Sequence, residues 1–488
     1  GGLAEELVRQ SELNVIVLES DPAKIAFLRQ KWTAAGIYGR RLSVVPGDIA
    51  SARLPKYLAS LMTSESSASA SLGAPGALAN SFDCLRPYGG VACFPAGSTT
   101  VEASTRLLKR AASKLGQECT TAVAEGVAVI RRPGALPGAA SWTHQYGDVA
   151  NTVCSKDDGP RPPLGLLWFG GTSHTDVLPR HGHGPSELIA GGRLFIQGIG
   201  VLSARDVYTG RSLWRREFTE LDTFNMYYNA TFNPDPHDRT YNQRHIPGAN
   251  AFGSNLVISE DAVYLVAGPV CFVLDPATGK TMQEWRLPAL GDTTEPNWGY
   301  IGVHDDLLIA GGAPLQVAAG EKGVVSADNN RFGEGSRFIV VLDRHTGKPL
   351  WQRAAVRNFR HNAIVAGKGK LFLIDGLSPH RLSLLGRRGV APKAPAAVLA
   401  LDVRTGRELW RSEDRVSGTW LGYSEEFDVL LEASARAGDR ARDETGRGMV
   451  AYQGKTGKQL WRIDDTYAGP CILYHDRIIT QTGGSNVR

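Results

Sequence analysis

The chain has 488 residues, of which 42% are hydrophobic and 21% charged, and a formal net charge of +5. One ordinary core does not hold that length, so two or more domains are expected unless a repeat fold absorbs it. Lysine and arginine are scattered rather than blocked, which speaks against nucleic acid as a partner, and no run of about 18 apolar residues offers a membrane span.

Residues 1–132 read as alternating helices and strands. Leu3 to Gln10 follows two glycines as a helix. Val15 to Leu18 is a short apolar run of the kind a buried parallel strand shows, ending in Glu19. Asp21-Pro22 opens a second helix, with Asp at the cap, Pro in the first turn, and Ile25, Leu28 and Trp32 at helical spacing. Leu42 to Val45 is the next strand, followed by Gly47-Asp48. Leu54 to Leu61 has a helix-like pattern, and Ser64 to Ser81 reads as a flexible Ser/Ala/Gly loop. Pro87 to Gly90 turns into a strand at Val91 to Phe94. This alternation predicts a Rossmann-like α/β unit with a parallel sheet.

On these residues the segment resembles a class I S-adenosylmethionine-dependent methyltransferase. The matching pieces are Gly1-Gly2 before a helix, Glu19 closing the second strand, Val45 to Asp48 after the third, and Leu85 to Gly90 before the fifth. The resemblance implies S-adenosylmethionine as cofactor. Gly2 would let the backbone approach it at a helix start, Glu19 would accept both ribose hydroxyls, and Asp48 would contact the adenine amino group. The family's first strand and most of its glycine motif are missing. No Asn-Pro-Pro-Tyr-type signature follows the fourth strand, where Met62 to Glu65 stands. The alternative is a degenerate, structural domain in which Glu19 and Asp48 are solvated strand ends. The chain begins Gly-Gly and ends Ser-Asn-Val-Arg in what reads as mid-blade, so a fragment is expected and the lack of a signal peptide carries no weight.

Arg131 to Gly138 is a linker by composition; placed at 133–141, it separates a domain at 1–132 from one at 142–488. The second domain opens at Trp142, with Tyr146, Asp148 and Asn151 following. Its strand candidates are Leu194 to Gln197, Leu256 to Ser259, Ala262 to Val266, Leu307 to Ala310, Phe338 to Leu342, Leu371 to Ile374 and Val398 to Leu401. All are rich in β-branched and aromatic residues between Gly, Asp and Pro.

One signature, Asp-x-x-Thr-Gly-x-x-Leu-Trp, recurs at Asp206 to Trp214, Asp343 to Trp351 and Asp402 to Trp410. Looser copies run from Asp275 to Trp285 and from Gln453 to Trp461, and five copies of one unit predict a repeat fold. The Asp is expected to bond backbone amides and the Gly to take the positive φ of a tight hairpin. The Trp should open the next strand and offer a large apolar face to the adjacent blade. The spacing of the Thr-Gly pairs shortens from 69 to 51 residues along the chain, against about 40–50 for a four-stranded blade. The earlier units therefore carry insertions, the largest at Thr219 to Pro247, Gly312 to Gly335 and Leu377 to Pro395. Insertions map to loops, where function usually sits.

These repeats resemble the pyrroloquinoline-quinone-type β-propeller superfamily, which includes quinoprotein alcohol dehydrogenases and the propeller lipoprotein of the outer-membrane β-barrel assembly machinery. The resemblance implies an all-β propeller of four-stranded blades, at least five of them visible here. It implies a binding or scaffold protein of the cell envelope or periplasm that presents loops to a protein, glycan or small molecule. Working quinone chemistry is not expected. The family's dehydrogenases hold a disulfide of adjacent cysteines over pyrroloquinoline quinone, whereas Cys84, Cys93, Cys119, Cys154, Cys271 and Cys471 include no neighbouring pair. The alternatives are an active methyltransferase whose propeller recruits substrate, which would place the protein in the cytoplasm, and a quinoprotein oxidoreductase. The loop from His174 to His183, with Asp176 and His181, has metal-suited residue types but reads as a polar turn, so no metal is expected. Asp235 to Asp238 and Tyr241 to His245 either line a pocket or form a solvated loop. No Gly-x-Ser-x-Gly elbow or His-Glu-x-x-His motif names a catalytic residue.

Overall fold

The computed structural model describes residues 2–66, 71, 76–96, 119–170, 176–177, 186–198, 200–219, 221, 255–316, 332–392, 394–435 and 444–481. The chain divides into two compact units: Gly1–Ala139 with Gly159–Phe169, and Ala140–Asp158 with Gly170–Arg488.

The first unit opens with α1 (Gly2–Gln10), β1 (Val15–Glu19), α2 (Pro22–Ala34) and β2 (Leu42–Pro46). Asp21 caps α2 as expected, its Oδ1 accepting from the amides of Ala23 at 2.8 Å and Lys24 at 3.3 Å. Ile25, Leu28 and Trp32 bury one face of α2 against Leu42 and Val44 of β2. The strands β1 and β2 pair in parallel, with Glu19 opposite Pro46.

A second sheet holds β3 (Leu61–Thr63), β4 (Gly90–Pro95), β5 (Thr120–Ala124) and β6 (Val127–Arg132) in the order β3-β4-β6-β5. It is mixed rather than purely parallel. Glu125 and Gly126 both take positive φ, so β5 and β6 close as a tight hairpin and run antiparallel. The helix expected over Leu54 to Leu61 does not form. Pro55 lacks an amide donor and Tyr57 holds φ at 63°, outside the helical region. Instead Ala59 exchanges backbone hydrogen bonds with Cys84 and Arg86 at 2.8 and 3.0 Å. The expected Ser64 to Ser81 loop also ends early: Ala77–Cys84 is a helix that buries Phe82 against this sheet.

The second unit is a propeller. Blade 1 comprises β7 (Leu188–Ala190), β8 (Arg193–Gly198), β9 (Val201–Asp206) and β10 (Ser212–Glu217). Blade 2 comprises β11 (Leu256–Ile258), β12 (Val263–Ala267), β13 (Val270–Leu274) and β14 (Thr281–Arg286). Blades 3 and 4 form one seven-stranded sheet: β15 (Trp298–His304), β16 (Leu307–Gln316), β17 (Phe332–Asp343), β18 (Pro349–Gly367), β19 (Lys370–Asp375), β20 (Ala397–Asp402) and β21 (Glu408–Ser412). They share β18, whose first part pairs chiefly with β17 as the outer strand of blade 3 and whose second part pairs with β19 as the inner strand of blade 4. Blade 5 comprises β22 (Trp420–Ser424), β23 (Val429–Ala433), β24 (Arg447–Gln453) and β25 (Gln459–Thr466), and β26 (Ala468–Tyr474) with β27 (Arg477–Gln481) form a further antiparallel pair. All seven strand candidates fall on these strands, with Ser259 one residue past the end of β11 and Ala262 one residue before β12.

The repeated signature does the local work expected of it. Asp206, Asp275, Asp343 and Asp402 each accept the amides two and three residues on, at 2.7–3.1 Å. The following glycines, Gly210, Gly279, Gly347, Gly406 and Gly457, all hold φ at 69–70°.

Residues 142–152 thread the inner strands in turn. Trp142 exchanges two 2.8 Å backbone bonds with Ile189 of blade 1, and the Thr143 carbonyl accepts from Ile258 of blade 2 at 3.2 Å. The His144 ring accepts from the Val303 amide of blade 3 at 2.9 Å. The carbonyls of Val149, Ala150 and Thr152 accept from Ala366, Tyr423 and Leu473 at 3.0, 2.8 and 2.8 Å. One segment thus ties the first strands of β7, β11, β15, the second part of β18, β22 and β26 together.

Candidate functional site

Because neighbouring strands of a blade run antiparallel, the first-to-second and third-to-fourth connections leave from one end of the ring. The second-to-third connections and the links between blades leave from the other. The first end carries tight turns, including every Asp-x-x-Thr-Gly hairpin. The described strand ends from which all the long connections depart lie at the second, the loop end: Phe218 to Asn255, Gln316 to Phe332, Asp375 to Ala397 and Ala435 to Glu444.

Buried polar side chains gather at the loop end of blades 3–5. Ser336 Oγ and His361 Nε2 are 2.7 Å apart. Gly299 and Gly311 make that pair possible, since a Cβ at either would stand 2.5 Å from Ser336 Oγ. Arg360 Nη2 lies 3.8 Å from Glu444 Oε1, both side chains being 2% exposed. Glu444 also accepts from Asn362 Nδ2 at 3.0 Å, the Thr419 hydroxyl, and the Ala435 amide at 3.2 Å. Asp375 takes the amides of Val356, Arg357 and Asn358 at 2.7–2.9 Å, pulling a bulge out of β18 where blade 3 hands over to blade 4. The Asn358 carboxamide is fully buried, and neither its oxygen nor its nitrogen has a hydrogen-bond partner. Such a group costs about 1–3 kcal/mol of desolvation and offers an NH2 donor group and a carbonyl acceptor together.

Sequence reasoning did not single out this cluster. The available signal was the run Asn358-Phe359-Arg360-His361-Asn362, which breaks strand alternation just before the apolar stretch Ala363 to Ala366.

In the first unit, Glu19 and Asp48 come to the same edge, at the carboxyl ends of β1 and β2, where the Gly47 amide donates to the Glu19 carbonyl at 2.9 Å. Glu19 Oε1 accepts from the amides of Ser20 and Asp21 at 2.9 and 3.0 Å. Asp48 Oδ1 accepts from the Ser51 hydroxyl at 2.8 Å and from the amides of Ser51 and Ala50 at 2.9 and 3.0 Å. The Ser51 hydroxyl bond first, then those amides, hold the Asp48 carboxyl below its ordinary range. The second oxygen of each carboxylate has no hydrogen bond among the described residues. Gly2 is the first residue of α1, and the neighbouring Leu3 amide donates to Glu65 Oε1 at 3.2 Å.

Of the His174 to His183 loop only Asp176 and Val177 are described. Asp176 is buried, and its Oδ1 accepts from Arg215 Nη2 at 3.0 Å and Nε at 3.1 Å. Asp235 to His245 lies outside the described residues. Among the described residues no group of three or more His, Cys, Asp or Glu could hold a metal ion.

The chain is similar to BamB from Moraxella catarrhalis, with 18% identity over 61% of this chain and 72% of that one, at a TM-score of 0.33. It is similar to the quinohemoprotein alcohol dehydrogenase from Comamonas testosteroni, with 16% identity over 68% of this chain and a TM-score of 0.40. It spans 49% of that enzyme, about half its length. A putative S-adenosyl-L-methionine-dependent methyltransferase from Methanococcus maripaludis is matched at 14% identity over 28% of this chain and 74% of that one, with a TM-score of 0.24. No curated protein matches. Residues 138–464 match the family model described as outer membrane protein assembly factor BamB, and the chain belongs to that pyrroloquinoline-quinone-type β-propeller family.

Proposed function

We propose that this protein is a binding scaffold: a propeller that holds a ligand at the loop end of blades 3–5 and carries a methyltransferase-like α/β unit. The observation behind this reading is that the buried polar cluster and the departure points of the long connections share one end of the ring. The other end is taken up by hairpins whose Asp and Gly have structural jobs. Family membership supports a protein as the ligand ahead of a glycan or small molecule. Pyrroloquinoline quinone is left out because the six cysteines include no neighbouring pair to form the disulfide over it. A photo-crosslinking side chain placed at Val390, at the loop end, should give adducts with a partner protein in the native cells, and one at Lys348, at the turn end, should not. Equal yields, or none from Val390, would overturn the reading.

A second reading, an active S-adenosylmethionine-dependent methyltransferase, is favoured by the carboxylates of Glu19 and Asp48 at one strand edge, each with an unengaged oxygen. Both suit a ligand with hydroxyl and amino donors. Calorimetry with S-adenosylmethionine tests it: binding lost in Glu19→Ala supports it, and no binding, or binding unchanged in that variant, removes it.

A further inference from the structure

We infer that the loop end of blade 4 docks an acidic, partly apolar protein segment; this deepens the scaffold reading and rests on it. Blade 4 reaches that end through residues 356–362, 376–392, 394–396 and its link to blade 5, 413–419. The first three stretches hold Arg357, Arg360, Arg381, Arg387 and Arg388 and no Asp or Glu, and the link's Glu413 and Asp414 are already paired with Arg411 at 3.3 Å and Arg415 at 3.5 Å. The carboxylate between the first two stretches, Asp375, is already engaged by three backbone amides. Arg360 lies buried beside Glu444. Arg387 and Arg388 are exposed and Arg357 is half-buried, and none of the three has an ion-pair partner among the described residues. Apolar side chains stand in the same stretches: Val356 is 61% exposed, Val390 49% and Leu382 39%.

A surface of net positive charge with apolar footholds draws carboxylates over a distance and buries aliphatic side chains on contact. Single-stranded nucleic acid calls for aromatic stacking platforms, and the one aromatic residue in these stretches besides the histidines, Phe359, is fully buried. A bilayer surface calls for a broad Trp, Phe or Leu face on an amphipathic helix, whereas the helix Pro379–Arg387 has nine residues.

The test uses the full chain and two fluorescent peptides of equal length, one of Glu and Leu and one of Lys and Leu, read by anisotropy. The Glu/Leu peptide should bind and the Lys/Leu peptide should not. Higher salt should weaken binding, because exposed charges are screened. Reversing both exposed arginines (Arg387→Glu with Arg388→Glu) should weaken it about tenfold or more, while Lys348→Glu at the turn end should leave it within about twofold. All three positions are exposed, so folding should survive; should the double variant unfold, the charge-sign and salt comparisons decide the matter. Equal binding of both peptides, no saturable binding, an unaffected double variant, or tighter binding to anionic vesicles or DNA would overturn the inference. If peptide binding fails while crosslinks still gather at Val390, only this inference falls; if both fail, the scaffold reading falls with it.

Discussion

The indole of Trp351 in blade 3 rests on Gly406 of blade 4: a Cβ at Gly406 would stand 2.6 Å from Trp351 Cδ2, while Nε1 donates to the Val403 carbonyl at 2.9 Å. The relationship repeats around the ring. Trp214 rests on Gly279 and Trp410 on Gly457, with Nε1 donating to the carbonyls of Pro276 and Gly454 at 3.0 and 2.8 Å. Trp285 also meets Gly347, but it comes two places late in its repeat, and its Nε1 turns to Gln283 Oε1 at 2.8 Å. Four of the five signature glycines, Gly279, Gly347, Gly406 and Gly457, thus have a second role: each is the seat for the tryptophan of the blade before.

Gly406→Ala should therefore be penalised twice, by the collision with the indole and by a φ of 70°. A loss of about 2–4 kcal/mol is expected, read from the urea midpoint. Trp351→Phe, which keeps the apolar face but loses the hydrogen bond, should cost only about 1 kcal/mol. An unchanged midpoint in Gly406→Ala would contradict this account of the blade contact.

His144 gives the propeller an acid limit. Its Nε2 accepts the Val303 amide, so Nδ1 carries the proton and faces Thr143 Oγ1 at 2.7 Å. Burial, ahead of the opposing pull of Asp148, lowers its pKa from 6.5 to about 4. The unfolded chain takes up this proton first, so the stabilisation is full above pH 6.5 and is lost as pH falls towards 4. Denaturation at stepped pH should show a decline in that window of roughly 3 kcal/mol from this group. His144→Gln, which cannot titrate, should flatten it; an identical slope would exclude His144 as the cause.

Asn358 and Asp375 should respond in opposite directions. Asn358→Leu removes a buried amide that has no partner, so stability should be unchanged or rise by up to about 2 kcal/mol. Asp375→Ala strips the partner from three amides and should cost about 3 kcal/mol or more. Thermal melts of both variants check this, and a large loss in Asn358→Leu would show that its carboxamide is satisfied in solution.

Gln453→Asp would restore the signature of the fifth repeat but should bring little gain. Asp428 Oδ2 already accepts the Lys455 amide at 2.9 Å, the bond the missing carboxylate would otherwise make, and a second carboxylate beside it would repel the first. A melting temperature within about 2 °C of the parent is expected, since shifts under about 0.5 kcal/mol are typical of such surface changes.

What could be read from the amino-acid order is what depends on neighbours in the chain. The Asp-x-x-Thr-Gly hairpins close through bonds to residues two and three places on, and the Asp21 cap does the same. Strand alternation places Glu19 and Asp48 at strand ends, and parallel register then puts them at one edge. The helical pattern over Leu54 to Leu61 is local but what the segment becomes is not: Ala59 is held by Cys84 and Arg86. The loop-end cluster was invisible for the same reason, since Asn362 and Glu444 lie 82 residues apart and Ser336 and His361 25 apart. Only the closing of blade against blade brings them together. The thread at 142–152 is the extreme case: its partners run from Ile189 to Leu473, and no local periodicity encodes a segment whose hydrogen bonds exist only once the ring has formed.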